Sequence, residues 1–349
     1  MFTDSTKEKV FLVQHLYLMI KGGFLVSEAI DVLKDEVRSK SLKKALEDIL
    51  RRILSGESLN KGLSRHPNVF SPFYQSIIRI GEESGTLEDN LQYLAGQIQA
   101  DYDIKKKVKG AMAYPIIVVI LAIALAMSVT IFILPKLLNI FTILDVKLPL
   151  STRILIASVT FTQKYWFVLI GGIILLVFAI KFLRRTLFFR YYFDRFVISL
   201  PVFGPITKNI ILSRFAQSFY TLLKSGVPTL ESLEIISKTV TNEVFRRDIL
   251  LLKLEVEKGG RISQSLKTFK KTFPVVFAQM VSVGEKSGSL ENSFRYLAKF
   301  YQKEVNSSLK TLVGVLEPVL LIFVGLFVAF ISLSIILPIY QFSGSLKLR

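Results

Sequence analysis

Cysteine is absent from this sequence, tryptophan occurs once and histidine twice, and 27 acidic residues face 45 lysines and arginines. Without cysteine there are no disulfides, thiolate metal sites or cysteine nucleophiles, although the compartment stays open. His15 and His66 are the only histidines, which argues against histidine-based acid–base chemistry. A nucleotide loop is missing too. The nearest approach, Gly204-Pro205-Ile206-Thr207-Lys208, lacks the second glycine and the Lys-Ser/Thr ending. Zinc-finger spacing and an aromatic RNA-binding signature are absent. Met1–Lys9 is polar and the first apolar-periodic stretch is amphipathic, so no cleavable signal peptide is expected and the first membrane span serves as an internal signal.

What is present is a duplication. Gly81-Glu82-Glu83-Ser84-Gly85-Thr86-Leu87 returns as Gly284-Glu285-Lys286-Ser287-Gly288-Ser289-Leu290, an offset of 203 residues. Over residues 81–95 and 284–298, nine of fifteen pairs are identical. The register holds far from this motif, pairing Lys21 with Lys224, Gly23 with Gly226, Glu28 with Glu231, Gly56 with Gly259, Phe70 with Phe273, Pro115 with Pro318 and Pro135 with Pro338. Such register over such a distance marks a tandem repeat, one copy from about residue 8 to 146 and the other from about 211 to 349.

Each copy is a polar, helix-patterned stretch followed by an apolar run, Ala111–Leu134 in the first and Pro318–Leu337 in the second. A helix of about 20 apolar residues crosses a bilayer core about 30 Å thick. Two copies in one orientation require a return crossing, and a third apolar run, Tyr165–Ile180, lies between them. Three transmembrane helices are therefore expected. With half the chain hydrophobic and no strand alternation common to both copies, the fold class is an all-α membrane protein with two homologous cytoplasmic helical-bundle domains. The expected organisation is a helical domain over 1–110, spans at 111–134, 165–183 and 311–338, an extracytoplasmic loop at 135–164, a second helical domain at 184–310 and a short extracytoplasmic tail at 339–349.

The net charge of +18 is placed topogenically. Lys105, Lys106, Lys107 and Lys109 precede span one; Lys181, Arg184, Arg185, Arg190 and Arg195 follow span two. Basic clusters beside spans fit the positive-inside rule and attract anionic lipid better than they indicate nucleic acid. The loop also carries Lys136, Lys147, Arg153 and Lys164, so the contrast across the membrane is incomplete. Tyr165 and Trp166 are expected as interface anchors, and the aromatic, basic stretch Phe188–Phe193 along the headgroups.

In the repeated motif, Gly85 and Gly288 suit a tight turn, Thr86 and Ser289 are expected to cap the next helix, and Glu88 and Glu291 to sit favourably in its first turn. The shared Glu82 and Glu285 have no local explanation. Catalysis would need a dependable acid, base or metal partner that neither copy supplies, so a structural or partner-contact role ranks first. Glu317, at the mouth of span three, is an ionisable group at a membrane edge and thus a functional candidate. The blander reading, a carboxylate solvated among headgroups, is preferred; the first copy has Tyr114 there, so the role is not shared.

A duplicated cytoplasmic helical domain, three spans in this arrangement, Gly-Glu-x-Ser-Gly-x-Leu and Lys-x-Gly in each copy, and Tyr114-Pro115 and Glu317-Pro318 entering the outer spans resemble one family. It is the inner-membrane platform protein of type II secretion and type IV pilus machines (GspF/PilC). Many members carry a further N-terminal segment, and the short Met1–Lys9 stretch here resembles shorter members, including those of Gram-positive competence pili. The resemblance implies a non-enzymatic protein without cofactor or metal. Its implied partners are a hexameric cytoplasmic assembly ATPase, pilin or pseudopilin transmembrane helices, other inner-membrane assembly proteins, membrane lipids and a second copy or higher oligomer. The family-motif and partner-contact candidates are Gly23, Gly81, Glu82, Gly85, Leu87 and Pro115, with Gly226, Gly284, Glu285, Gly288, Leu290, Glu317 and Pro318.

Overall fold

The computed structural model describes residues 5–129, 132, 150–183, 186–201 and 203–346. The first half of the expected loop, 135–149, with Lys136 and Lys147, lies outside them, as do Arg184 and Arg185, the final three residues and the side chain of Trp166. The described residues form fourteen α-helices and no strand. The first six are α1 (Ser5–Lys21), α2 (Val26–Glu36), α3 (Lys40–Leu54), α4 (Leu59–Ser64), α5 (Pro72–Ser84) and α6 (Leu87–Ser128). Then come α7 (Leu150–Leu183) and α8 (Leu187–Ser199). The last six are α9 (Phe203–Lys224), α10 (Thr229–Thr239), α11 (Glu243–Glu257), α12 (Ile262–Leu266), α13 (Val275–Lys286) and α14 (Leu290–Leu346). Shifted by 203, α2 and α3 coincide with α10 and α11 at both ends, and α6 and α14 begin together.

Local chemistry sets these limits. Ser39 Oγ accepts the Leu42 N–H at 3.4 Å ahead of α3, and Asn242 Oδ1 accepts those of Val244 and Phe245 at 3.1 and 3.2 Å ahead of α11. Such caps satisfy donors that the first helical turn leaves without a partner. At the other ends, the positive-φ glycines fall into three pairs, Gly23 with Gly226, Gly56 with Gly259 and Gly85 with Gly288. The duplication thus repeats backbone conformation as well as sequence.

Two compact units result, one of Met1–Val108 with Arg190–Ser308, the other of Lys109–Phe189 with Leu309–Arg349. In the first unit the copies share a topology with differently composed cores. Buried Leu12, Leu16, Leu42 and Leu91 are replaced, position for position, by buried Phe215, Phe219, Phe245 and Phe294. Phe219 stacks on Phe294 with centroids 4.2 Å apart, and Phe215 meets Phe273 edge-on at 5.3 Å. Burying such a side chain stabilises by about 1.5–3 kcal/mol, and a well-oriented ring pair adds about 0.5–1.5 kcal/mol.

The two copies also bind each other. Helix α5 packs on α10, where Arg79 pairs with Glu231. Between α6 and α9, Arg214 Nε lies 2.9 Å from Asp101 Oδ1 and Gln97 Nε2 donates to Ser218 Oγ at 3.2 Å.

In the second unit, α6 and α14 are long and apolar enough to cross a membrane. Helix α7, uncharged between Lys164 and Lys181, is the third apolar helix. Pro115 and Pro318 lie inside α6 and α14, which continue through them. Helix α7 begins at Leu150, within the segment expected as loop, and departs from helical dihedrals at Tyr165 (φ −117°, ψ 18°) where the span was expected to start. Thr152 Oγ1 donates to the Ser334 carbonyl at 2.7 Å, both buried, and so joins α7 to α14.

Candidate functional site

The repeated carboxylates have a structural task. From α5, Glu82 turns its two oxygens to the start of α4 and accepts the N–H groups of Leu59 at 2.6 Å and Asn60 at 2.9 Å. From α13, Glu285 accepts those of Ile262 at 2.6 Å and Ser263 at 3.0 Å at the start of α12. A carboxylate on the first N–H groups of a helix meets both vacant donors and the positive end of the helix dipole. Short helices of this kind do not persist on local propensity alone. Ser58 Oγ shares the work at α4 by accepting the Lys61 N–H at 3.4 Å, whereas Arg261 caps α12 with no side-chain bond.

The surrounding glycines make that geometry possible. A Cβ on Gly81 would stand 3.0 Å from both Leu87 Cα and Asn90 Nδ2; one on Gly284 would stand 2.5 Å from Ser293 Oγ and 3.1 Å from Leu290 Cα. At this corner each long helix therefore touches the backbone of the helix before it. Gly85 (φ 71°) and Gly288 (φ 64°) make the left-handed turn. In the second copy the turn is closed by Ser289 N–H on the Gly284 carbonyl at 2.8 Å. Leu87 and Leu290 then open α6 and α14 and pack against the core.

Thr86 and Ser289, expected to take a helix N–H, instead place their hydroxyls 2.6 Å from Ser84 Oγ and Ser287 Oγ. Since Ser84 and Ser287 donate to carbonyls of their own helices, Thr86 and Ser289 supply the proton between them. The Lys-x-Gly pair abuts the same corner. Lys224 Nζ lies 3.5 Å from Glu291 Oε1. The pKa of Lys21 is raised, first by its hydrogen bond to Tyr17 and further by Glu88. Gly23 and Gly226 end the helices that carry these lysines.

Sequence comparison of the copies could not reveal the join between them. Two adjoining clefts of about 360 and 320 Å³ share Gln97, Asp101 and Arg214. Burial pushes the Asp101 carboxyl upward against the opposing pull of Arg214 and Lys105, and burial raises Tyr74 far above the usual phenol range. Gln97 is 4% exposed, and its Oε1 has no partner among the described residues. At the shifted positions, Gln97 and Asp101 become Phe300 and Glu304, and Arg214 corresponds to Phe11, so no repeated signal marks them.

In the second unit an apolar groove of about 210 Å³ runs between Val118 and Ala122 of α6 and Leu320, Phe323 and Phe327 of α14. Pro115 and Pro318 lie about one turn before these residues, and Glu317 is exposed beside Pro318.

The type II secretion system (T2SS), protein F family matches the chain twice, over residues 12–135 and 215–338, with both bounds 203 apart. The type IV pilus assembly protein PilC of Myxococcus xanthus is 29% identical over 341 residues, 98% of this chain and 82% of the relative. That of Thermus thermophilus is 29% identical over 343 residues, 98% of this chain and 84% of the relative. The type II secretion system protein F of Vibrio cholerae is 25% identical over 340 residues, 97% and 84% of the two chains.

Proposed function

The chain belongs to the type II secretion system protein F family, and from that premise we propose that it is the inner-membrane platform on which an assembly ATPase drives polymerisation of pilins or pseudopilins. The observation that carries this reading is the continuity of α6 and α14, each running without a break from a packed helical bundle into an apolar, membrane-length stretch. A continuous helix transmits displacement without a linker to absorb it. Motion delivered to the bundles would thus reach the spans, where the apolar groove suits the transmembrane helix of a filament subunit.

In this reading both bundles, 1–110 and 184–310, face the cytoplasm, as the basic residues beside spans one and two favour. They receive a hexameric ATPase. A second copy and other inner-membrane assembly proteins complete the platform. A structural rather than catalytic part for the two shared carboxylates is supported by their hydrogen bonds to backbone N–H groups. Family-motif residues contribute by holding the bundle corners, and Glu317 faces the headgroup zone.

Co-purification of the detergent-solubilised full-length chain with its cognate assembly ATPase tests the reading, alongside filament assembly in a deletion strain. Retention of the ATPase and loss of filaments are expected. Normal filaments without the protein would overturn it.

A further inference from the structure

Helix α8 lies outside both family-matched repeats and is fixed to the second bundle. Asp194, 5% exposed, accepts the Glu243 N–H at 2.8 Å, and Arg190 donates to the Thr241 carbonyl at 2.7 Å. At the other end Gly204 permits a tight passage into α9, since a Cβ there would meet the Ile198 carbonyl oxygen at 2.5 Å. Yet the helix displays Phe188, Tyr192 and Phe196, one face at helical spacing, 75%, 52% and 62% exposed. Apolar rings on a firmly anchored helix call for a non-aqueous surrounding.

Beside this face is a cleft of about 610 Å³ lined by Tyr191, Arg195, Lys208 and Lys271, with Asp248 its single carboxylate. Arg190 and Arg246 nearby are engaged by Glu243. Among the described residues none of the three lining cations forms an ion pair. Asp248 is engaged by Thr272 Oγ1 at 2.6 Å, and burial favours its neutral form. The cleft is thus cationic, and suited to phosphate. Chain connectivity identifies the source. Helix α8 starts four residues after α7 ends, a span of at most about 14 Å.

We propose that α8 lies in the membrane headgroup zone, its aromatic face among the upper acyl carbons, and that the adjoining cleft holds the phosphate of an anionic phospholipid. Rings at the interface and cations on headgroups act together here, each binding what the other brings close. The inference rests on α7 crossing the bilayer and is independent of any ATPase.

Full-length protein in nanodiscs of brominated phosphatidylglycerol or phosphatidylcholine provides the test. Trp166, in α7, is the only tryptophan, and its quenching in the native chain reports the crossing. A Trp166→Phe, Phe196→Trp chain then reports α8 alone. Position 196 should be quenched, more by brominated phosphatidylglycerol than by brominated phosphatidylcholine. Combined Arg195→Gln, Lys208→Gln and Lys271→Gln should weaken the phosphatidylglycerol preference by about fivefold per charge removed. The equally charged control Lys267→Gln, Lys286→Gln and Lys299→Gln should keep it. Three results overturn the proposal while Trp166 stays quenched: an unquenched position 196, equal quenching by both lipids, or a phosphatidylglycerol preference that the Arg195, Lys208 and Lys271 variant keeps in full. An unquenched Trp166 would remove the crossing and the platform reading together.

Discussion

Glu285 holds the backbone of Ile262, its Oε1 accepting the amide N–H at 2.6 Å, and 203 residues earlier Glu82 holds Leu59 at the same distance. Each carboxylate ties the end of one helix to the start of another. The pairing converts the most conspicuous acidic residues of the repeat from candidate chemistry into architecture.

Replacing them should therefore lower stability, and by unequal amounts. An amide retains one acceptor but turns an NH2 group toward a backbone donor. Glu285→Gln should cost about 2 kcal/mol, the scale of a lost charge-assisted bond. Glu82→Gln should cost about 1 kcal/mol, because Ser58 also caps α4 while Arg261 supplies no side-chain bond to α12. Denaturant unfolding of the full-length chain in detergent checks both values. Unchanged midpoints would return the residues to partner contact.

Alanine scanning of the glycines separates two mechanisms at one corner. Gly85→Ala and Gly288→Ala force a side chain into the left-handed region, a penalty of about 1–2 kcal/mol. Gly284→Ala should cost more than Gly81→Ala, because its Cβ would overlap Ser293 Oγ at 2.5 Å whereas that of Gly81 meets its nearest neighbours at 3.0 Å. Overpacking of this kind amounts to about 1–3 kcal/mol. The additional variant Ser293→Ala should recover part of the Gly284→Ala loss, measured as a double-mutant cycle.

The repeat, its helical pattern and the turn at Gly85 and Gly288 were legible in the sequence because periodicity and turn chemistry act over a few residues, and a second copy filters out accident. Glu82 was conspicuous but unexplained. Its partners are backbone N–H groups more than twenty residues away, and a backbone donor leaves no mark on residue identity. The Asp101–Arg214 join was invisible for a different reason. It exists only where the copies differ, so the comparison that exposed the duplication concealed the contact between its halves. The start of α7 at Leu150 was missed because Arg153 and Lys164 resemble loop charges until placed on a helix.

Two carboxylates should titrate in opposite senses. Lys238 and Lys253 hold Glu234 down at about 2. Its contribution is thus present above the ordinary glutamate range and is lost as pH falls through the folded value. Because the group is well exposed, Glu234→Gln should remove no more than about 1 kcal/mol at neutral pH, and nothing once both states are protonated. Asp101 is shifted upward by burial, so its folded form binds a proton more readily than the unfolded chain. Stability from that source is present at acid pH and declines as pH rises through the raised value. Subtracting the Asp101→Asn profile from wild type between pH 4 and pH 7, about one unit per step, should leave a curve that falls with pH. A rising difference would contradict the assignment.

Absence of cysteine makes the crossing pattern directly measurable, since any introduced thiol is the only one. Lys61 and Lys267 are exposed on the first and second bundles, and Thr142 lies in the segment between spans one and two. Each bundle of a tandem repeat is followed by its own span, so both stay on one face only if a further crossing returns the chain between them, and α7 is the helix available for it. Cells expressing Lys61→Cys, Lys267→Cys or Thr142→Cys should therefore differ toward a membrane-impermeant maleimide. Thr142→Cys should react in intact spheroplasts, and the two bundle sites only after permeabilisation. All three side chains are polar and replaceable, so little stability is at stake. Labelling of Lys61→Cys and Thr142→Cys from the same face would mean that α6 does not cross. Opposite labelling of Lys61→Cys and Lys267→Cys would mean that α7 does not return the chain. Either result separates the bundles from a common cytoplasmic motor, because a single ATPase can then engage only one of them.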